Sequence, residues 1–161
     1  MPSKTAFITG ASSGIGQAAA HQFAAAGFDL IISARRKSRI DELSRLLVEQ
    51  HGVEVLALEL DVRDQEAVRE SIGSLPKKWQ TLDVLINNAG LSRGLVTIDK
   101  GLISDWDEMI DTNVKGLLYV SRAVTPLMVR HQAGHIINIG SIAGHEVYAN
   151  GAVYCASKHA V

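Results

Sequence analysis

Two kinds of apolar run alternate along the chain. Short runs, at 5–9, 28–33, 53–60, 82–87 and 135–140, read as five strands. Longer stretches whose apolar positions recur at helical spacing, at 14–26, 39–51, 65–74 and 104–131, lie between them. Each strand therefore returns to the next through a crossover of the length that parallel pairing needs. Leu30-Ile31-Ile32 and Val84-Leu85-Ile86 are apolar without alternation, as expected of strands covered by helices on both faces. The pattern predicts an α/β fold built on a doubly wound parallel sheet.

The last of these helices is apolar on more than one side. Trp106, Met109, Ile110, Val114, Leu117, Leu118, Val120, Val124, Leu127 and Met128 cover more than the single stripe of a surface helix. Such a helix either packs on a second copy of the chain or lies buried under the chain's own loops. The first reading makes a homo-oligomer, dimer or tetramer, the expectation. The stretch 91–103, behind N-N-A-G, reads as a loop beside a site.

One domain, 1–161, accounts for a chain of 161 residues. With 16 Lys and Arg against 17 Asp and Glu, net charge -1, no general field attracts nucleic acid or an anionic membrane, and any anion must be held locally. The lone Cys155 excludes an internal disulfide framework and a cysteine-rich zinc site, which suits a reducing compartment. His131 and His135 are separated by glycine at a helix end, so no metal site is expected. No apolar run approaches the ~18 residues that span a bilayer. Met1-Pro2-Ser3-Lys4 leads straight into the first strand without a signal peptide, so a cytoplasmic protein is expected.

The turn after the first strand is rich in glycine: Thr9, Gly10, Ser12, Ser13, Gly14, Ile15 and Gly16 stand where backbone N–H groups and hydroxyls can meet a pyrophosphate at a helix N-terminus. The spacing is G-x-x-x-G-x-G. A P-loop would need Gly-Lys-Ser/Thr after the glycines, and no lysine is there. At the end of the second strand, where a NAD site carries an acid for the ribose 2'-hydroxyl, the chain has Ser33-Ala34-Arg35-Arg36. A guanidinium fork matches a phosphate that a carboxylate would repel. Arg35 and Arg36 thus point to the 2'-phosphate of NADP (NADPH).

Taken in order, T-G-A-S-S-G-I-G, Asp61-Val62, N-N-A-G at Asn87 to Gly90, Asn113, Ser141, and Tyr154 with Lys158 in Y-x-x-x-K resemble the short-chain dehydrogenase/reductase family over the whole chain. The resemblance implies a Rossmann-type sheet, with Asp61 and Val62 against the adenine and Asn88, Ala89 and Gly90 along the cofactor. It implies a catalytic tetrad of Asn113, Ser141, Tyr154 and Lys158, with Asn113 holding a water between Lys158 and solvent and Lys158 also touching the cofactor ribose. N-N-A-G-L, M-I-D-T-N-V-K-G-L, G-H-I-I-N-I-G-S-I-A-G and A-R-R look most like NADP-dependent β-hydroxy acid dehydrogenases, serine-oxidising members among them. A small hydroxy or carbonyl substrate follows. Family members continue past the Tyr154 helix with a sixth strand, a mobile substrate-covering segment and a seventh strand, so the chain is expected to be C-terminally incomplete and inactive by itself. The rival reading is a non-catalytic NADP-binding sensor or scaffold on the same fold, which would have no need of the tetrad.

Oxidising a hydroxyl group removes its proton as hydride leaves carbon, so a base must stand beside the cofactor. Tyr154 is the candidate. A free phenol has a pKa of about 10, and working near neutrality takes about 4 kcal/mol, which an ammonium about 4 Å away supplies at an effective dielectric of about 20. In a helix, Lys158 shares a face with Tyr154. Ser141, at the end of the fifth strand, is placed to hydrogen-bond the substrate oxygen. Cys155 adjoins Tyr154 on another face and reads as packing; His145 either approaches the substrate or has no role.

Overall fold

The computed structural model describes residues 3–161. Met1 and Pro2, at the head of the stretch read as lacking a leader, lie outside the described residues. Strands β1 (Thr5–Thr9), β2 (Asp29–Ala34), β3 (Val55–Glu59), β4 (Val84–Asn87) and β5 (His135–Asn138) pair in parallel in the order β3-β2-β1-β4-β5. This is the Rossmann-type sheet expected.

The sheet has an apolar layer on each face. Ala6, Ile8, Leu30 and Ile32 point to one side, where α1 (Gly14–Ala25) and α2 (Lys37–His51) bring Ala20, Ala24, Ile40, Leu43 and Leu47. Phe7, Ile31 and Leu85 point to the other, against Val68 and Ile72 of α3 (Gln65–Gly73) and Val120, Val124, Leu127 and Met128 of α5 (Leu117–His131). Full burial of each large aliphatic side chain contributes about 1.5–3 kcal/mol, so strands without alternation fold only between two helical layers. The strand order reverses at β1, and the connections leaving β1 and β4 part to opposite faces. A crevice opens beyond the C-terminal ends of those two strands.

The stretch 104–131 is not one helix. It divides into α4 (Ile103–Ile110), a π-helical turn over Asp111–Gly116, and α5. Two contacts hold the turn open: Asn113 is drawn inward by hydrogen bonds to Leu91 and Ser157, and Gly116 lies so close to Val62 that a Cβ would stand 2.6 Å from Cγ2. Single π turns of this kind recur at functional sites. Much of the apolar excess also has an internal explanation, because Met109, Val120, Val124, Leu127 and Met128 are buried in the chain's own core. Leu118 and Val129, 57% and 67% exposed, are the large apolar side chains of α5 that face outward.

Ser141 does not end the fifth strand. β5 ends at Asn138, and Ser141 instead heads a short 3-10 turn, Ile142–Gly144, before α6 (Ala152–Ala160). Among the described residues no helix is long and apolar enough to cross a membrane.

Candidate active site

A cleft of about 500 Å³ fills the crevice at the ends of β1 and β4. Gly10, Ser12, Ser13, Ile15, Arg35 and Arg36 line one part of it, and Val62, Asn88, Ala89 and Gly90 another. Tyr154 and Lys158 of α6 open onto the same space. Of the residues expected at the site, Thr9, Gly14, Gly16, Asp61, Asn113 and Ser141 stand outside the cleft lining, and their surroundings explain their places.

Thr9 is a brace within the fold. It is 1% exposed, its Oγ1 accepts the N–H groups of Asn88 and Ala89 at 3.1 Å each, and it donates to the Ile86 carbonyl at 3.4 Å. No hydroxyl proton is left for a ligand. Gly10, at φ 66°, is pressed against β4's end, where a Cβ would stand 2.8 Å from Ala89 Cα. Gly16 packs under the same turn, its Cβ position 2.7 Å from the Gly10 carbonyl. Gly14, at φ 59°, has open space beyond it. Ser13, at the N-cap of α1, makes no side-chain bond to its helix, which leaves first-turn N–H groups for an anion. The cradle therefore fits a pyrophosphate.

At the end of β2, Arg36 donates from Nη2 to Ser12 Oγ at 2.9 Å and Ser13 Oγ at 3.1 Å, so the arginine and the glycine-rich turn form one rim. Arg35 Nη1 lies 3.4 Å from Glu108 Oε1. Asp61 is gripped by Arg63 through Nη2 at 2.6 Å and Nε at 3.0 Å. Burial pushes its carboxyl up, but the Arg63 hydrogen bonds and charge outweigh that and hold it below the usual carboxylate value. The adjacent Val62 faces the cleft.

On α6, Lys158 Nζ lies 6.0 Å from the Tyr154 ring centroid and donates to the Ile139 carbonyl at 2.9 Å. Burial lowers its pKa from the ordinary lysine value. Gly90 stands between Lys158 and Asn113, with a Cβ position 3.3 Å from Asn113 Oδ1 and 3.7 Å from Lys158 Nζ. Asn113 spends both amide protons, on the Leu91 carbonyl at 2.9 Å and Ser157 Oγ at 3.0 Å, while its Oδ1 accepts Leu91 N–H at 2.8 Å. Ser157 in turn donates to the Tyr154 carbonyl at 2.8 Å. Leu91, Asn113, Ser157 and Tyr154 form one chain of bonds, so the side chain of Asn113 positions the Tyr154 helix instead of facing the cleft.

Ser141 is held by its own turn, with Oγ accepting Ala143 N–H at 3.2 Å. Gly144 presses on the backbone of α6, where a Cβ would stand 2.7 Å from the Lys158 carbonyl, and so joins the Ser141 turn to the lysine. Cys155 is buried, as packing requires, and His145 is exposed. Leu91 and Ser92 line the cleft from the stretch 91–103 that was read as a loop beside a site, while Ala34, Leu60, Thr112, Ile139 and Gly140 in the lining had not been singled out. Most flank residues that were found. Thr112 faces the cleft beside the inward-drawn Asn113, and a regular-helix reading gives no signal of the π turn that places both.

The sequence pattern of the short chain dehydrogenase family matches residues 4–161. The NADP-dependent 3-hydroxy acid dehydrogenase YdfG of Salmonella typhi is 47% identical over 151 residues, 94% of this chain and 59% of that protein. The NADP-dependent 3-hydroxy acid dehydrogenase of Schizosaccharomyces pombe is 46% identical over 159 residues, 98% of this chain and 61% of that protein. The chain thus spans about three fifths of the length of these curated relatives. Among solved structures, serine dehydrogenase from Escherichia coli superposes with a TM-score of 0.90 at 43% identity, over 96% of this chain and 70% of that one. With its sheet order, its glycine-rich turn and its Tyr154–Lys158 pair on one cleft, the chain belongs to the short chain dehydrogenase family.

Proposed function

We propose that the protein carrying this chain is an NADP-dependent oxidoreductase that moves hydride between the cofactor and a small hydroxy or carbonyl compound, with β-hydroxy acids as the substrate class. The observation that carries the reading is that Tyr154 and Lys158 open onto the same cleft as Arg35 and Arg36. Relatives named for 3-hydroxy acids and for NADP support the substrate class and the cofactor.

Bound NADP+ would supply the hydride acceptor for the oxidation of a carbinol carbon. Gly10, Gly14 and the start of α1 would hold its pyrophosphate, Val62 would flank its adenine, and Arg35 and Arg36 would take its 2'-phosphate. Tyr154 accepts the hydroxyl proton, and Lys158 favours the phenolate by its charge. Ser141 donates to the substrate oxygen, and Asn113 keeps α6 in place. Titrating the full-length protein with NADP+ and NAD+ tests the reading, with NADP+ expected to bind tighter and a panel of 3-hydroxy acids expected to support its reduction. Tighter binding of NAD+ would end it.

The outward face of α5 around Leu118 and Val129 supports a homo-oligomer, and the buried Cys155 suits a cytoplasmic location.

A further inference from the structure

Glu108 lies on α4, 73 residues from Arg35 in the sequence, yet its carboxylate gathers three arginines from three connections of the sheet. Arg93 donates to Oε2 at 2.7 Å. Oε1 faces Arg35 at 3.4 Å and Arg63 at 3.5 Å, both long contacts, and Arg63 already grips Asp61. The carboxylate is thus held firmly on one oxygen and loosely on the other. Resting on the NADP reading above, we propose that Glu108 is a specificity-determining residue: its Oε1 engages Arg35 until a ribose 2'-phosphate takes that guanidinium.

The exchange leaves no stranded charge, because Arg93 and Arg63 stay with Glu108 after Arg35 turns away. The Arg93 hydrogen bond holds Glu108 ionised, below the ordinary glutamate value. Arg36 donates to the Ser12 and Ser13 hydroxyls and, among the described residues, meets no carboxylate, so no acid competes with the phosphate for it. Glu108 therefore lowers affinity for the phosphorylated dinucleotide and leaves its unphosphorylated counterpart nearly untouched. The Arg35 side chain is 50% exposed, and exposed pairs of this kind are weak, so the effect is a tuning of preference.

The test uses the full-length protein and two probes, adenosine 2',5'-bisphosphate and 5'-AMP, titrated calorimetrically into wild type, Glu108→Gln, Glu108→Asp, Arg35→Gln and the Arg35→Gln/Glu108→Gln double variant. Glu108→Gln is expected to tighten the bisphosphate about two- to fivefold and 5'-AMP much less. Glu108→Asp, which keeps the charge, is expected to stay near wild type, and in the Arg35→Gln background the gain should fall by at least about half. A wild type that prefers the bisphosphate but gains nothing from Glu108→Gln overturns this proposal alone. So does an equal gain with Arg35 removed, or a Glu108→Asp variant that behaves like Glu108→Gln. A wild type with no preference for the bisphosphate overturns both this proposal and the NADP reading.

Discussion

Asn88 fastens Thr9 from across the sheet: its Nδ2 donates to the Thr9 carbonyl at 2.9 Å, while its backbone N–H donates to Thr9 Oγ1 at 3.1 Å. The second Nδ2 proton goes to the Gly10 carbonyl at 3.1 Å. Asn88, which also lines the cleft, therefore has both side-chain amide protons spent on the glycine-rich turn and fixes its shape. Asn88→Asp should prove worse than Asn88→Ala, since a carboxylate would face two carbonyl oxygens. Chemical denaturation is expected to show a loss of about 1–3 kcal/mol for Ala, the cost of two partly buried acceptors left bare, and more for Asp. Equal stability of Asp and wild type would refute the clamp.

The strands, the sheet class and the Tyr154 helix were legible because burial on both faces writes itself as unbroken apolar runs, and because i, i+4 spacing fixes a shared helical face. Arg35 and Arg36 were legible from their place at the end of β2. The division of labour among the other motif residues was not. Thr9, Asp61 and Asn113 face partners as distant in sequence as Asn88 or Ser157, or as near as Arg63, and one sequence does not say which side of a backbone a polar group turns to. The π turn was hidden for a related reason, since the contacts of Asn113 and Gly116 that open it all come from other parts of the chain.

The same hidden geometry redirects the test of self-association. Leu117 and Val120 look equivalent in the helical pattern, but Val120 is fully buried between α5 and the sheet, Leu117 is half-buried, and Leu118 points out. Leu118→Asp should dissociate any assembly that uses this face and keep the fold. Val120→Asp should instead unfold the chain, because an unpaired carboxylate in an apolar layer costs several kcal/mol. Sedimentation of the full-length protein with circular dichroism separates the two outcomes, and a Leu118→Asp variant still associated like wild type would exclude the face.

Acid should strip stability through the arginine-bound carboxylates. Asp61 and Glu108 both sit below their ordinary values, the first despite burial through Arg63, the second through Arg93 foremost. A group depressed in the folded state stabilises it fully above the unfolded value, about 4 for these carboxylates, and loses that contribution as pH falls through the folded value. Lys158 works in the opposite range. Burial depresses its pKa, so its charge costs stability at neutral pH, and the cost fades as pH rises through the lowered value toward the ordinary one. Denaturation midpoints measured across pH should therefore show a shallower acid limb in Asp61→Asn and Glu108→Gln, and in Lys158→Met the loss of the stability that wild type regains as pH rises toward the ordinary lysine value. An acid limb identical to wild type in both carboxylate variants would contradict the linkage.

Tyr154 and Lys158 carry the sharpest prediction about chemistry. In the full-length protein Tyr154→Phe keeps the ring in the cleft and loses only the proton-transfer group, so NADP+ affinity should barely change while turnover falls about 10²-fold or more. Lys158→Met should act twice. It removes the donor now bonded to the Ile139 carbonyl at the cleft wall, which should weaken cofactor binding. It also removes the charge facing the Tyr154 ring, which should lower turnover even when the cofactor is saturating. Arginine at position 158 should restore part of the second effect but not the first, since a planar fork does not fit where a single ammonium reaches past Gly90. If Tyr154→Phe retained more than about a tenth of the wild-type rate, the loss would be too small for a general base, and a cofactor-binding sensor would become the better description of the cleft.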